Sequence, residues 1–153
     1  MEQLSSRMIQ KKEQPIKVVQ FGEGNFLRGF VDYMIDMANE QGIFNGGVAI
    51  VKPIPFGTLD AFRKQDNLYT LILRGVENGQ TVEQTRIIQS VQKTVDCYQE
   101  YEEYMALARL DSLEFIVSNT TEAGIVLDKE DKLDKFIISC FIFKTAHKAA
   151  PGL

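Results

Sequence analysis

A chain of 153 residues, 44% hydrophobic and 25% charged, carries enough apolar material for the core of one domain. Seventeen basic against twenty-one acidic side chains give a net charge of −4, which leaves no basic surplus for a nucleic-acid partner. The longest apolar run, residues 136–143, falls well short of the roughly 20 residues that span a bilayer, so no membrane partner is expected.

Residues 1–15 read as a polar N-terminal segment without the apolar stretch of a secretory signal. The two cysteines, Cys97 and Cys140, do not make a disulfide framework, and a reduced, cytoplasmic setting is expected. The single histidine, His147, is too little for a Cys/His zinc site or a Ser-His-Asp mechanism, and no metal is expected.

In chain order, "IKVVQF" (residues 16–21) predicts a short buried strand between Pro15 and Gly22. Residues 25–40 predict a helix with Asn25 as its N-cap and Gly42 as its stop. Phe26, Phe30, Met34 and Met37, widened by Leu27, Val31, Ile35 and Ala38, form the expected inner stripe. Arg28, Asp32 and Asp36 are expected on the outer face, and Gly29 marks a place where something packs closely. "GVAIVK" (47–52) predicts a second strand, parallel to the first through a right-handed crossover. Residues 68–91 hold two β-rich runs around Asn78-Gly79, a strong hairpin signal. Residues 97–110 return to helical period with Tyr101, Tyr104, Met105 and Ala108 inward, and 113–119 predict a third buried strand running into "TTEAG". Residues 128–135 read as a charged loop. The apolar block and small basic tail that follow have the composition of an aggregation-prone segment. Glu100, Glu102 and Glu103 read as a solvated helix face, and the nearby tyrosines as packing.

The chemistry lies in "QFGEGNFLRGF" (20–30), which has the first two glycines of a dinucleotide fingerprint but Leu27 where a third is expected. A tight turn at Gly22-Glu23-Gly24 followed by a helix start offers backbone N–H groups and a partial positive charge to a pyrophosphate. Arg28 is placed to add a bidentate contact. The same residues also suit an ordinary glycine turn, with Arg28 pairing to Asp32 four residues on. "SNTTEAG" begins at another strand end, where it either lines the same crevice or merely turns the chain. After the second strand, Lys52 stands where an acidic residue often reads the ribose hydroxyls. It either favours a 2′-phosphate or faces solvent.

Taken together, "VVQFGEGNFLRGFVDYMID", "DNLYTLILRG" and "FIVSNTTEAGI" resemble the N-terminal portion of the mannitol dehydrogenase family of long-chain, polyol-specific dehydrogenases, over roughly residues 16–134. The resemblance implies an α/β fold, a Rossmann-like parallel sheet with an inserted antiparallel β-hairpin, occupying residues 16–134. It implies metal-independent interconversion of D-altronate and D-tagaturonate with NAD(H) in hexuronate catabolism. By resemblance the cofactor loop maps onto Gly22, Glu23, Gly24, Asn25, Phe26, Leu27 and Arg28, with Asn119 and Thr120 beside it. Thr121 and Glu122 map to the substrate entrance. In the family an arginine follows the position of Leu27, so the missing third glycine is no defect. The family's catalytic lysine belongs to a C-terminal helical domain absent from these residues. No catalytic residue is therefore assigned, and a sugar-acid substrate requires that domain to be supplied. The resemblance stops abruptly after Asp134, leaving 135–153 as a divergent tail with the character of a frameshift or premature stop. An alternative reading is a standalone nucleotide-binding or regulatory module; a plain α/β interaction domain is a third.

Overall fold

The structure, a computed structural model, describes residues 4–119. Expectations for Thr120, Thr121, Glu122, the charged loop, Cys140, His147 and the tail lie outside the described residues. The glycine-bounded apolar run becomes β1 (Ile16–Phe21), followed by α1 (Asn25–Glu40) and β2 (Gly47–Lys52), with the predicted bounds. β1 and β2 pair in parallel, with Val19 opposite Ala49 and Phe21 opposite Val51. Every residue of β2 is buried, as befits a parallel strand covered on both faces.

Next come a short helix α2 (Asp60–Arg63), a hairpin of β3 (Tyr69–Glu77) and β4 (Gln80–Ile88), a strand β5 (Val91–Asp96), a helix α3 (Tyr101–Leu107) and β6 (Phe115–Ser118). The four parallel strands lie in the order β5-β2-β1-β6, and β3 and β4 form a separate two-stranded sheet. In order of appearance the main sheet is therefore 3-2-1-4, the first part of a doubly wound Rossmann sheet. Strand alternation divides the core. Val19, Phe21, Ala49, Val51 and Val95 pack with Tyr104, Met105 and Leu107 beneath α3. Val18, Val48, Ile50 and Val91 pack with Phe62, Tyr69 and Ile88 on the other side.

The hairpin turn carries positive φ at Asn78 (52°) and Gly79 (77°), the pattern of a type I′ turn. Gly79→Val is expected to cost about 1–2 kcal/mol, because a side chain there meets the left-handed steric penalty. Hydrogen exchange should localise the loosening to residues 74–83; a loss spread over the main sheet would contradict a hairpin that is buried only at its base.

Several expectations are corrected. The stripe on α1 holds only in part: Leu27 is buried and Ile35 packs against the core, but Phe26, Phe30 and Met34 are 60%, 49% and 52% exposed, whereas Asp32 and Asp36 are buried. The base of the hairpin packs over the acidic face and supplies the donors that make burial of carboxylates tolerable. Asp32 Oδ2 accepts from the Tyr69 hydroxyl (3.0 Å). Asp36 accepts from Arg86 Nε (2.7 Å) and from the amides of Gln89 (2.8 Å) and Ser90 (3.0 Å). Leu71 of the hairpin comes within ordinary contact of Gly29, at 3.6 Å from the place a Cβ would occupy. The N-cap is Gly24, not Asn25, which is already helical. α3 is shorter than residues 97–110, because Asp96 Oδ1 gathers the amides of Tyr98 (3.0 Å) and Gln99 (3.3 Å) into a turn. Tyr101 is half exposed while Tyr104 is buried. β6 is a partly exposed edge among the described strands, not a buried one. β5 is a strand that the sequence pattern did not reveal, since Gln92 and Lys93 interrupt its apolar run.

Candidate functional site

At the C-terminal end of β1, Gly22 donates its N–H to Val51 O (2.9 Å) and turns with φ +110°, a conformation that favours glycine. Gly24 returns to extended backbone (φ −67°, ψ 156°), and a Cβ built on it would meet nothing within 4 Å. The first turn of α1 has no side-chain cap and no acidic residue, and Arg28 N–H reaches Gly24 O at 3.2 Å. The N–H groups of Asn25, Phe26 and Leu27 therefore precede the first intrahelical bond, at the positive end of a 16-residue helix. Of these residues, Asn25 and Phe26 are exposed, Glu23 is half-buried, and Leu27 is buried beneath Gly22, so Leu27 has only its backbone to offer.

Phe21 stands opposite Ser118 on β6, so the chain leaving β6 at Asn119 emerges beside Gly22. β2 lies on one side of β1 and β6 on the other. The strand order reverses there, and such a switch point opens the ligand crevice of doubly wound sheets. Asn119 is exposed at this edge.

Arg28 is not simply the partner of Asp32. Its Nη2 donates to Asn25 Oδ1, and its guanidinium lies over the rings of Phe62 (5.4 Å) and Tyr69 (5.6 Å). Beneath it, the Tyr69 hydroxyl contacts Arg28 O at 2.9 Å as well as Asp32. Burial pushes the Asp32 carboxyl up to about 7, against hydrogen bonding to Tyr69 and Gln20 and the charge of Arg28; Asp36 adds to the rise. Burial, followed by Asp32, drives the Tyr69 hydroxyl far above its ordinary range. Gln20, wholly buried on β1, donates its amide to Gly22 O at 3.1 Å. Sequence reasoning passed over Gln20, Asp32 and Tyr69 as site residues; a glutamine inside an apolar strand was the one visible signal.

Both alternatives for Lys52 are superseded. Lys52 is wholly buried, its Nζ paired to Asp96 Oδ2 (2.9 Å) and donating to Ile54 O (2.9 Å) and Phe56 O (3.3 Å). It neither faces solvent nor stands free for a phosphate; it ties the ends of β2 and β5 to the loop after Pro53. Around α3, Glu100 pairs with Arg63 (2.6 Å) and Glu103 with Lys93. Among the described residues no helix is long and apolar enough to cross a membrane.

Residues 16–151 match the family model described as the mannitol dehydrogenase Rossmann domain, a match that continues past Asp134. The chain is 48% identical to the altronate oxidoreductase of Bacillus subtilis (strain 168) over 120 residues, covering 78% of this chain and 25% of the relative. It is 42% identical to that of Yersinia enterocolitica over 133 residues, covering 86% of this chain and 28% of the relative. The chain thus spans about a quarter of the length of these relatives. Among solved structures, a Pseudomonas fluorescens mannitol 2-dehydrogenase in ternary complex with NAD and D-mannitol aligns with TM-score 0.74 at 13% identity. It covers 98% of this chain and 37% of that one. A substrate-free D-sorbitol dehydrogenase aligns with TM-score 0.66 at 17% identity, covering 87% of this chain and 30% of that one. With the Rossmann strand order, the glycine turn and the family match in agreement, the chain belongs to the mannitol dehydrogenase family.

Proposed function

We propose that this chain is the NAD(H)-binding portion of an oxidoreductase that interconverts D-altronate and D-tagaturonate, in cytoplasmic hexuronate catabolism. The observation that carries the reading is the uncapped N-terminus of α1 at the switch point of the sheet, with open space before Gly24. The substrate pair is suggested by the altronate oxidoreductases to which the chain is 41–48% identical. The dinucleotide supplies the hydride-accepting nicotinamide. The amides of Asn25, Phe26 and Leu27 bind its pyrophosphate oxygens, and Arg28 adds positive charge one turn into the helix. Gly22 sets the turn, Gly24 lets the ligand approach the backbone, and Glu23 flanks both. Asn119 is placed at the crevice beside β6, and by the family resemblance alone Thr120 is assigned to the cofactor and Thr121 and Glu122 to the substrate entrance. Substrate binding and proton abstraction fall to the three quarters of the relatives that this chain does not span.

Calorimetric titration of NAD⁺ and NADH into the chain tests this. Gly24→Val is the sharp variant, because a side chain there meets no protein atom and costs the helix about 1 kcal/mol or less. The expected result is binding by the parent chain and at least a roughly tenfold loss in the variant at nearly unchanged stability. Equal binding by the two would remove the loop from the site; no binding by the folded parent chain would remove the cofactor reading itself.

A further inference from the structure

Arg28 is a half-buried cation whose hydrogen-bond and ring partners are all neutral. Its Nη2 donates to Asn25 Oδ1, and its Cζ lies over Phe62 and Tyr69, 5.4 and 5.6 Å from their ring centres. The carboxyl one turn on does not take it, since Asp32 Oδ1 and Arg28 Nε are both buried without a partner. The two rings stand nearly perpendicular, at 85° with centres 6.1 Å apart, and give the guanidinium a corner to sit in. The space left in that corner, about 40 Å³, is too small for a sugar or a base, so the rings hold no ligand of their own. Phe62 belongs to α2 and Tyr69 opens β3. The chain between them reverses through Asp66 (φ 53°) and Asn67 (φ 61°), two successive non-glycine residues in the left-handed region. That turn is clamped on both sides. Asp66 Oδ2 accepts from Ser6 N (2.8 Å) and Oγ (2.7 Å), and Asp66 O accepts from Lys11 Nζ (2.7 Å). Asn67 Nδ2 donates to Gln92 O (3.3 Å), and its Oδ1 accepts from Thr94 Oγ1 (3.2 Å). Backbone of this kind persists only where its surroundings fix it. Core packing accounts for two buried rings, but not for a cation laid over both.

We propose that Phe62 and Tyr69 are positioning residues that seat the Arg28 guanidinium beside the glycine turn and leave its charge unpaired for a pyrophosphate oxygen of the dinucleotide. The bond to Asn25, the first residue of α1, directs the guanidinium back toward the uncapped end of the helix. A solvated arginine loses much rotamer freedom when it grips a phosphate, and one seated beforehand loses less. Ring faces suit this task because they attract a cation without offering it an acceptor. They orient the guanidinium and leave its donors to the ligand, where a carboxylate would neutralise it. Tyr69 adds a second hold, since its hydroxyl reaches Arg28 O at 2.9 Å and ties the ring to the backbone of the residue it seats. The clamped Asp66-Asn67 turn then serves the cofactor site through these rings, without touching the ligand.

The effect on cofactor rests on the function proposed above, so the test reads the seat without ligand first. The chain carries ¹³C and ¹⁵N in its arginines. The side-chain protons of Arg28, identified by their absence in Arg28→Met, should be displaced by the ring currents of Phe62 and Tyr69. The displacement should shrink in Phe62→Leu. Calorimetric titration of NAD⁺ then compares the parent chain, Phe62→Leu, Arg28→Met and the double variant, each with the circular dichroism of the parent. Arg28→Met should weaken binding roughly tenfold and Phe62→Leu roughly threefold. In the Arg28→Met background, Phe62→Leu should change the affinity by less than about twofold, because the ring acts through the guanidinium. Should Phe62→Leu not fold, Phe62→Met takes its place in the cycle, with a side chain that adapts to the site but has no ring. Arg28 protons at the positions of a solvated arginine in the parent chain would overturn the proposal. So would a Phe62→Leu chain that binds NAD⁺ as the parent does, or a loss that is as large without the arginine as with it. A chain whose Arg28 protons are displaced as described but which binds no NAD⁺ counts against the proposed function and leaves the seat standing.

Discussion

Asp36→Ala should cost this domain about 3 kcal/mol, one of the largest losses available to a single side chain on α1. The carboxylate sits over the corner between β4 and β5. There it accepts from Arg86 Nε and from the consecutive amides of Gln89 and Ser90. Removing it strands two amides in the interior and takes one partner from a mostly buried guanidinium. Arg86 keeps Glu40 at 2.9 Å, which holds the cost toward the lower end of the range for broken buried pairs. Asp36→Asn preserves an acceptor for the two amides and should cost less, about 1–2 kcal/mol. Met34→Glu, on the exposed stripe, should stay within about 0.5 kcal/mol of the parent chain. Urea unfolding followed by circular dichroism reads all three. A helix packed through its phenylalanine stripe would give the reverse order, with Met34→Glu the damaging change and Asp36→Ala nearly silent.

That contrast shows where sequence reasoning reaches and where it stops. The bounds of β1, α1 and β2 follow from signals within a few residues: a β-branched run, a glycine on either side, a helical period. The hairpin follows from Asn78-Gly79 alone. Which face of α1 turns inward does not follow, because the donors that make Asp32 and Asp36 buriable arrive from Tyr69 and Arg86, 37 and 50 residues away. Hydrophobic period identifies a stripe but not what stands opposite it. β5 escaped for a related reason: Lys93 breaks the apolar pattern, and its partner Glu103 lies on a helix not yet formed when the strand is read. In the candidate site, the glycine turn and the helix start were legible. The Gln20–Asp32–Tyr69 group beneath them was not, since it exists only once strand and helix faces have been matched.

The second large effect concerns Lys52, where an ammonium at the C-terminal end of β2 invited a role in choosing between NAD and NADP. All three of its donor directions are taken, by Asp96 Oδ2, Ile54 O and Phe56 O, with no exposure to solvent. Asp96→Asn should therefore cost about 3–5 kcal/mol, by leaving a buried ammonium with carbonyl partners only. Lys52→Met should be costly as well, since it leaves the carboxylate with only its amide donors. The loss in the double variant should be smaller than the sum of the two single losses by about 1 kcal/mol or more, because neither charge is then stranded. Burial acts to raise the Asp96 carboxyl, but hydrogen bonds from Lys52 and the amides of Tyr98 and Gln99 outweigh it and hold the group below its ordinary range. Its contribution is thus present above about pH 4 and fades as the pH falls through the depressed folded value. A lysine engaged in this way has no donor left for a 2′-phosphate. Lys52→Met chains that keep the parent circular dichroism should show an unchanged ratio of NAD to NADP affinity. A selective tenfold loss of NADP binding would mean that Lys52 leaves Asp96 to meet the ligand, and that the buried pair is a resting state of the site and not part of its frame.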